Sequence, residues 1–235
     1  MHKQKSDIKT KVQTNHGDRR EYVVTSILER VVNGQLRAGE RLVTQDLADQ
    51  LNVSLTPVRE ALAELSGIGI IDLLPNRGAT IHAFSRQEIR DVCRVRRALE
   101  CEAVRGAIGR IPPSKLRELD SQFAALSQAP VKGTRMIRRA RELDSQLHDL
   151  VKEHCDNVFL QKELTRLARL FRSLRDASWI DSQSRDDCDR LAEEAREHSE
   201  ITQAMLKRDS KAAVNAMSRH ITASARYWSR GNTNS

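Results

Sequence analysis

The order of signals in residues 19–83 leaves this 235-residue chain few ways to begin. From Arg19 to Asn33, the residues Tyr22, Val23, Ile27 and Val31 recur at helical spacing, and Gly34 stops the helix. Arg37 to Arg41 reads as a short turn. Thr44 to Leu51 fits a second helix, with Leu47, Ala48 and Leu51 inward and Asn52 at its end. Ser54-Leu55-Thr56-Pro57 then reads as the start of a third. Hydroxyl caps lead, and the proline falls in the first turn, where its missing N–H costs nothing. That helix runs to about Ser66 with Val58, Leu62 and Leu65 on one face, and Gly67 and Gly69 end it. Two β-prone runs, Ile70–Leu74 and Ala79–Ala83, flank Pro75-Asn76-Arg77-Gly78, which is a hairpin signal. Helix, helix, turn, helix, hairpin is the pattern of a winged helix-turn-helix.

Everything after Phe84 reads as helix. The apolar periodicity predicts helices over 88–110, 114–128, 136–154, 157–179, 187–207 and 210–228, with Pro112-Pro113 forcing a break after the first. On that first helix the inward positions read Ile89, Val92, Val95/Arg96, Leu99, Ala103 and Ile108. The expected fold class is all-α with a small β-hairpin wing: an N-terminal winged helix-turn-helix followed by a six-helix antiparallel bundle. The expected domains are a flexible basic tail over 1–18, a winged helix-turn-helix domain over 19–83, and an all-helical domain over 84–230.

Composition sets further bounds. Eight aromatic residues in the whole chain argue against the stacking platforms that single-stranded nucleic acid needs. No apolar run reaches the roughly 18–20 residues of a membrane span, and the polar N-terminus is not a secretory signal. Four dispersed cysteines, Cys93, Cys101, Cys155 and Cys188, read as reduced structural thiols, so a cytoplasmic location is expected. The net charge of +8 does not single out the N-terminal region, because residues 1–80 hold 11 Lys/Arg against 10 Asp/Glu.

The N-terminal residues of the second helix of a helix-turn-helix face the major groove of double-stranded DNA. Here that stretch offers Ser54, Thr56 and Arg59, outward if Val58 and Leu62 point inward. Arg59 can take a guanine bidentately or a phosphate. Arg77 and Gly78 at the hairpin tip are placed to reach a minor groove, and Arg41, at the start of the second helix, is a candidate phosphate contact.

A second constellation lies in the helical half. Asp144 falls on the inward stripe of helix 136–154, and His148 follows one turn later. His198 completes the stripe of helix 187–207, and His220 lies within that of the last helix. A buried carboxylate is usually paired or coordinated. An i, i+4 Asp/His pair with two further histidines is metal-ligand chemistry, its N and O donors suited to Zn, Ni, Mn or Fe.

Three segments carry a family resemblance: Gly34–Leu42, Leu47–Leu62 and Pro75–Ala79. They resemble the GntR family of bacterial transcription regulators, most specifically through Val53-Ser54 and Pro57-Val58-Arg59-Glu60-Ala61-Leu62. The family usually has Arg between the Ser and the Thr; Leu55 stands there in this chain, which removes one expected DNA contact. Asp144-Ser-Gln-Leu-His148, Glu197-His198…Ile201 and Met217-Ser-Arg-His220-Ile221 are similar to the FCD effector domain of the FadR subfamily. That resemblance implies a divalent metal on Asp144, His148, His198 and His220, beneath a pocket for a small carboxylate. Arg97-Ala-Leu-Glu100 matches the domain's Arg-x-x-Glu segment and makes Arg97 an effector anchor by the same resemblance.

The resulting expectation is a non-enzymatic transcription regulator, more often a repressor, that binds operator DNA as a homodimer and responds to a small carboxylate. Two alternatives stand beside it: a metal sensor with no organic effector, and a metal-dependent hydrolase.

Overall fold

The computed structural model describes residues 16–74, 78–128, 134–179 and 185–231. Among these, no helix is long and apolar enough to cross a membrane. The chain divides into two compact units, one ending at His82 and one running on from Ala83. The basic tail and Arg77 lie largely or wholly outside the described residues.

The first unit combines α1 (His16–Val32), α2 (Thr44–Leu51) and α3 (Leu55–Ile68) with a small antiparallel sheet. Val23, Val24 and Ile27 of α1 are fully buried, whereas Tyr22, expected on that stripe, is 52% exposed. The α2–α3 turn depends on Asn52 at φ 52°, a left-handed conformation that asparagine tolerates. Val58, Leu62 and Leu65 fill the core face of α3 as expected. Two expectations need correction at the ends of α3. Ser54 occupies the N-cap position, but its hydroxyl makes no cap hydrogen bond. Gly67 lies inside the helix, and Gly69 alone ends it with a left-handed C-cap.

The wing is larger than a hairpin. β2 (Ile71–Leu74) and β3 (Gly78–Ile81) pair as expected, and β1 (Arg41–Leu42) adds to the other edge of β3, giving the order β1-β3-β2. Arg41 therefore belongs to a strand, not to the start of α2. Gly78 has φ 89°, and a Cβ there would sit 3.0 Å from the Leu42 carbonyl oxygen. The close approach of β1 thus gives this glycine a role within the sheet.

The second unit is helical throughout: α4 (Arg86–Ala107), α5 (Pro113–Gln128), α6 (Thr134–Glu153), α7 (Val158–Trp179), α8 (Arg185–Leu206) and α9 (Ser210–Gly231). α4 starts earlier than its apolar periodicity suggests because Ser85 and Glu88 form a capping box. The closest pairings are α4 with α9, α5 with α8 and α8 with α9. Phe123, Leu143, Leu147, Ile201, Met217 and Ile221 form the centre of the core. Cys93, Cys101 and Cys155 are buried free thiols.

Gly106 permits one of these packings. A Cβ at this position would lie 2.2 Å from the Cys155 carbonyl oxygen, and backbone does not yield as a side chain does. Gly106→Ala is expected to destabilise by about 3 kcal/mol, the upper range for overpacking, although alanine is the better helix former by ~1 kcal/mol. Gly67→Ala, with nothing within 4 Å of the added methyl, is the control and should stabilise slightly. Thermal melts of the two variants check the pair. Equal melting temperatures would contradict the packing argument.

Candidate metal centre and DNA-reading surface

Four side chains from three helices converge inside the second unit: Asp144 and His148 of α6, His198 of α8 and His220 of α9. One ligand atom from each lies within 4.8 Å of all the others. Donors around an octahedral ion, with bonds of ~2.1 Å, sit about 3.0 Å apart when adjacent and about 4.2 Å when opposite, so the set would draw in somewhat to close on an ion. The side chains of His198 and His220 are 2% and 1% exposed. Their Nε2 atoms are buried without hydrogen-bond partners; the His198 atom is 3.3 Å from Asp144 Oδ1 but lacks bonding geometry. An orphaned buried nitrogen is costly, and two of them aimed at one centre fit the donor set of a divalent cation.

The surrounding groups fix how these side chains present themselves. His220 donates from Nδ1 to Glu197 Oε2 at 2.8 Å, which leaves Nε2 as the inward lone pair. Glu197 is itself held by Arg190, with both guanidinium nitrogens near 3 Å. His148 is held the same way by Glu100 through Nδ1. Burial, with help from the other two histidines, pushes His220 well below the ordinary histidine range, so it stays neutral and ligand-ready. Burial opposes ionisation of Asp144, but the Arg175 guanidinium, with the nearby His148 and His198 rings, outweighs it and holds the carboxylate well below its usual range. At Glu100 burial is likewise overcome, by Arg96 and His148, and its pKa falls to about 2.

One arginine expected at the site is displaced by its neighbour. Arg96 is buried: it pairs with Glu100 at 2.5 Å, reaches His148 Nε2 at 2.9 Å, and lies 4.0 Å over the Phe171 ring. Its second terminal nitrogen, Nη1, has no partner. Arg97 is exposed and faces away from the cluster, with Thr222 Oγ1 at 3.5 Å. Val95, the other residue assigned to the inward stripe, is 52% exposed. The space beside the cluster, bounded by Arg96, Asp144, His148 and Phe171, holds only about 20 Å³, roughly one water. Arg175 was not singled out in the sequence, and Glu100 and Glu197 entered only within the family-like segments, with no role given to them. For Glu197 a signal was present, because it adjoins His198 and lies two turns from Arg190.

In the first unit, Ser54, Thr56 and Arg59 are exposed on the opening turn of α3, with Pro57 and Val58 turned into the core. Arg41 and Gly78 are exposed on neighbouring strands of the wing. Neither Arg41 nor Arg59 has an ion-pair partner among the described residues.

Residues 91–223 match the FCD domain, and residues 19–81 match the bacterial regulatory proteins of the gntR family. This chain belongs to the GntR family. Like its relatives and both of its domains, this GntR-family chain is a DNA-binding transcription regulator, not an enzyme. The Nta operon transcriptional regulator of Aminobacter aminovorans is 31% identical over 77% of this chain and 82% of its own length. The transcriptional repressor RspR of Escherichia coli is 27% identical over 83% of this chain and 82% of its own. The Escherichia coli regulator McbR is 37% identical over a shorter stretch, 43% of this chain and 45% of McbR. The solved fold of McbR superposes with a TM-score of 0.74 at 21% identity, covering 90% of this chain and 97% of that one.

Glu197→Gln tests how this GntR-family centre is oriented. The amide keeps an oxygen for His220 but loses the charge that both His220 and Arg190 use. Changes to partners behind a ligand typically cost 10–100-fold in metal affinity. A loss in that range is expected by competition with a chromophoric chelator, with helical content unchanged. Unaltered affinity would mean that Glu197 does not orient the ligand.

Proposed function

We propose that this regulator is a repressor that binds double-stranded operator DNA as a homodimer and releases it when a small carboxylate occupies a metal-anchored pocket in the second unit. Asp144, His148, His198 and His220 would hold the metal, which supplies a positive charge and open coordination positions for an oxyanion. The observation that carries this reading is the pair of buried, partnerless Nε2 atoms of His198 and His220. The N₃O donor set suits Zn, Ni, Mn or Fe. Arg96 supports a carboxylate as the ligand class: its guanidinium adjoins the cluster and keeps one buried nitrogen unpartnered. In this role it replaces Arg97. The name of the relative RspR motivates repression, and pairing of recognition helices on two half-sites motivates the dimer.

On the DNA side, Arg59, Thr56 and Ser54 would read the major groove, and Arg41, Arg77 and Gly78 would reach the backbone or the minor groove. The carboxylate enters only if α7 yields, since Phe171 closes the space beside the cluster. By linkage, the effector weakens DNA binding only as far as it prefers the non-binding state.

The cramped space favours a second reading, in which the metal alone is the signal. Thermal unfolding with and without chelator, followed by a panel of small carboxylic acids and operator-binding assays, separates the two. Stabilisation by metal and further stabilisation by one acid, with loss of operator affinity, are expected. Chelation that changes DNA affinity while no acid binds would replace this proposal with the metal-sensing one. No effect of chelation at all would overturn both.

A further inference from the structure

On the other side of the α4–α9 pair lies a cleft of about 200 Å³ that the metal centre does not use. Arg90, Arg94 and Arg97 of α4 and Arg226 of α9 line it, with the hydroxyls of Thr222 and Ser229 between them. Cys93, Ile221 and Ala225 form an apolar floor. All four arginines are exposed, and among the described residues only Arg94 has a carboxylate partner, Asp91 at 2.9 Å. Arg90 turns to Gln87, and Arg97 reaches only Thr222. Four cations around one concavity repel each other and focus a positive potential there, which an anion relieves. Guanidinium groups are matched to the paired oxygens of carboxylate and phosphate.

We propose that this cleft is a second ligand site, separate from the metal centre, for a small oxyanion such as a phosphate monoester carrying a short apolar body. Its volume is below the roughly 300–1,000 Å³ of pockets for drug-sized ligands, which sets the size class. The concave shape and apolar floor favour a small molecule over a duplex backbone, which needs neither. The hydroxyls of Thr222 and Ser229 donate to the backbone carbonyls of Ser218 and Arg226, so the guanidinium groups are the donors an oxyanion would accept from.

Titration calorimetry of the full chain at fixed low ionic strength, with inorganic phosphate and with glycerol 3-phosphate, tests this. Both probes are expected to bind with Kd near ~1 mM or tighter, the monoester more tightly. The double variant Arg97→Gln/Arg226→Gln changes only exposed side chains and should weaken both at least tenfold, with an unchanged far-ultraviolet spectrum. His198→Ala, which tests the metal centre, should leave phosphate binding in place. Several results would overturn the proposal: no binding at ~10 mM, equal binding by the arginine variant, or loss of phosphate binding in His198→Ala. Two further outcomes would assign the cleft elsewhere and equally overturn it. One is a uniform loss of DNA affinity with a shallower salt dependence in the arginine variant. The other is separation of subunits in sedimentation.

Discussion

Replacing His198 with alanine is expected to abolish the stabilisation that the proposed divalent metal would give this protein. At a metal concentration a hundredfold above Kd, binding to the folded state alone contributes about 2.7 kcal/mol. For a chain of this size 1 kcal/mol shifts the melting temperature by about 2–4 °C, so the metal-dependent shift is roughly 5–10 °C. His198 is 2% exposed and packs its ring 4.9 Å from that of Phe123, so its loss also leaves a void. The variant will melt lower even without metal. The diagnostic quantity is therefore the difference between metal-loaded and chelated protein, which should collapse in the variant and persist in the wild type. A shift of the same size in both would show that His198 is an ordinary core histidine.

Arg59→Ala is expected to cost about 1–3 kcal/mol of operator affinity, roughly 5- to 150-fold. Arg59 is exposed on the first turn of α3, behind the buried Pro57 and Val58, so its loss should leave the melting temperature unchanged. Fluorescence anisotropy on an operator selected from random duplexes, and on single base-pair variants of it, is the measurement. A base contact predicts that discrimination relaxes at one position. A phosphate contact predicts a uniform loss and a salt slope shallower by about one. Unchanged affinity on every duplex would remove Arg59 from the reading surface.

The convergence of Asp144, His148, His198 and His220 was legible in the sequence because helical geometry does most of the work. Asp144 and His148 are one turn apart, and His198 and His220 interrupt otherwise apolar stripes, so their convergence followed from packing three amphipathic helices. What periodicity resolves poorly is the edge of a stripe. Val95, Arg96 and Arg97 straddle such an edge, and an arginine is easily read as the exposed one. Arg96 is buried because Glu100, one turn on, and the Phe171 ring of a distant helix receive its charge and its plane. β1 escaped for another reason. Two residues have no period, and Arg41–Leu42 is a strand only because β3 offers it an edge. Arg175 carried no sign at all, since its partner Asp144 lies 31 positions away.

Arg96 and Arg97 are successive residues of α4, about 100° apart around its axis. One is tied to the imidazole of His148, and the other touches Thr222 of α9 on the opposite flank. α4 is thus a shaft with a grip on each side. One helix walls both the cluster and the cleft, and it does so through adjacent residues without lending the same side chain to both.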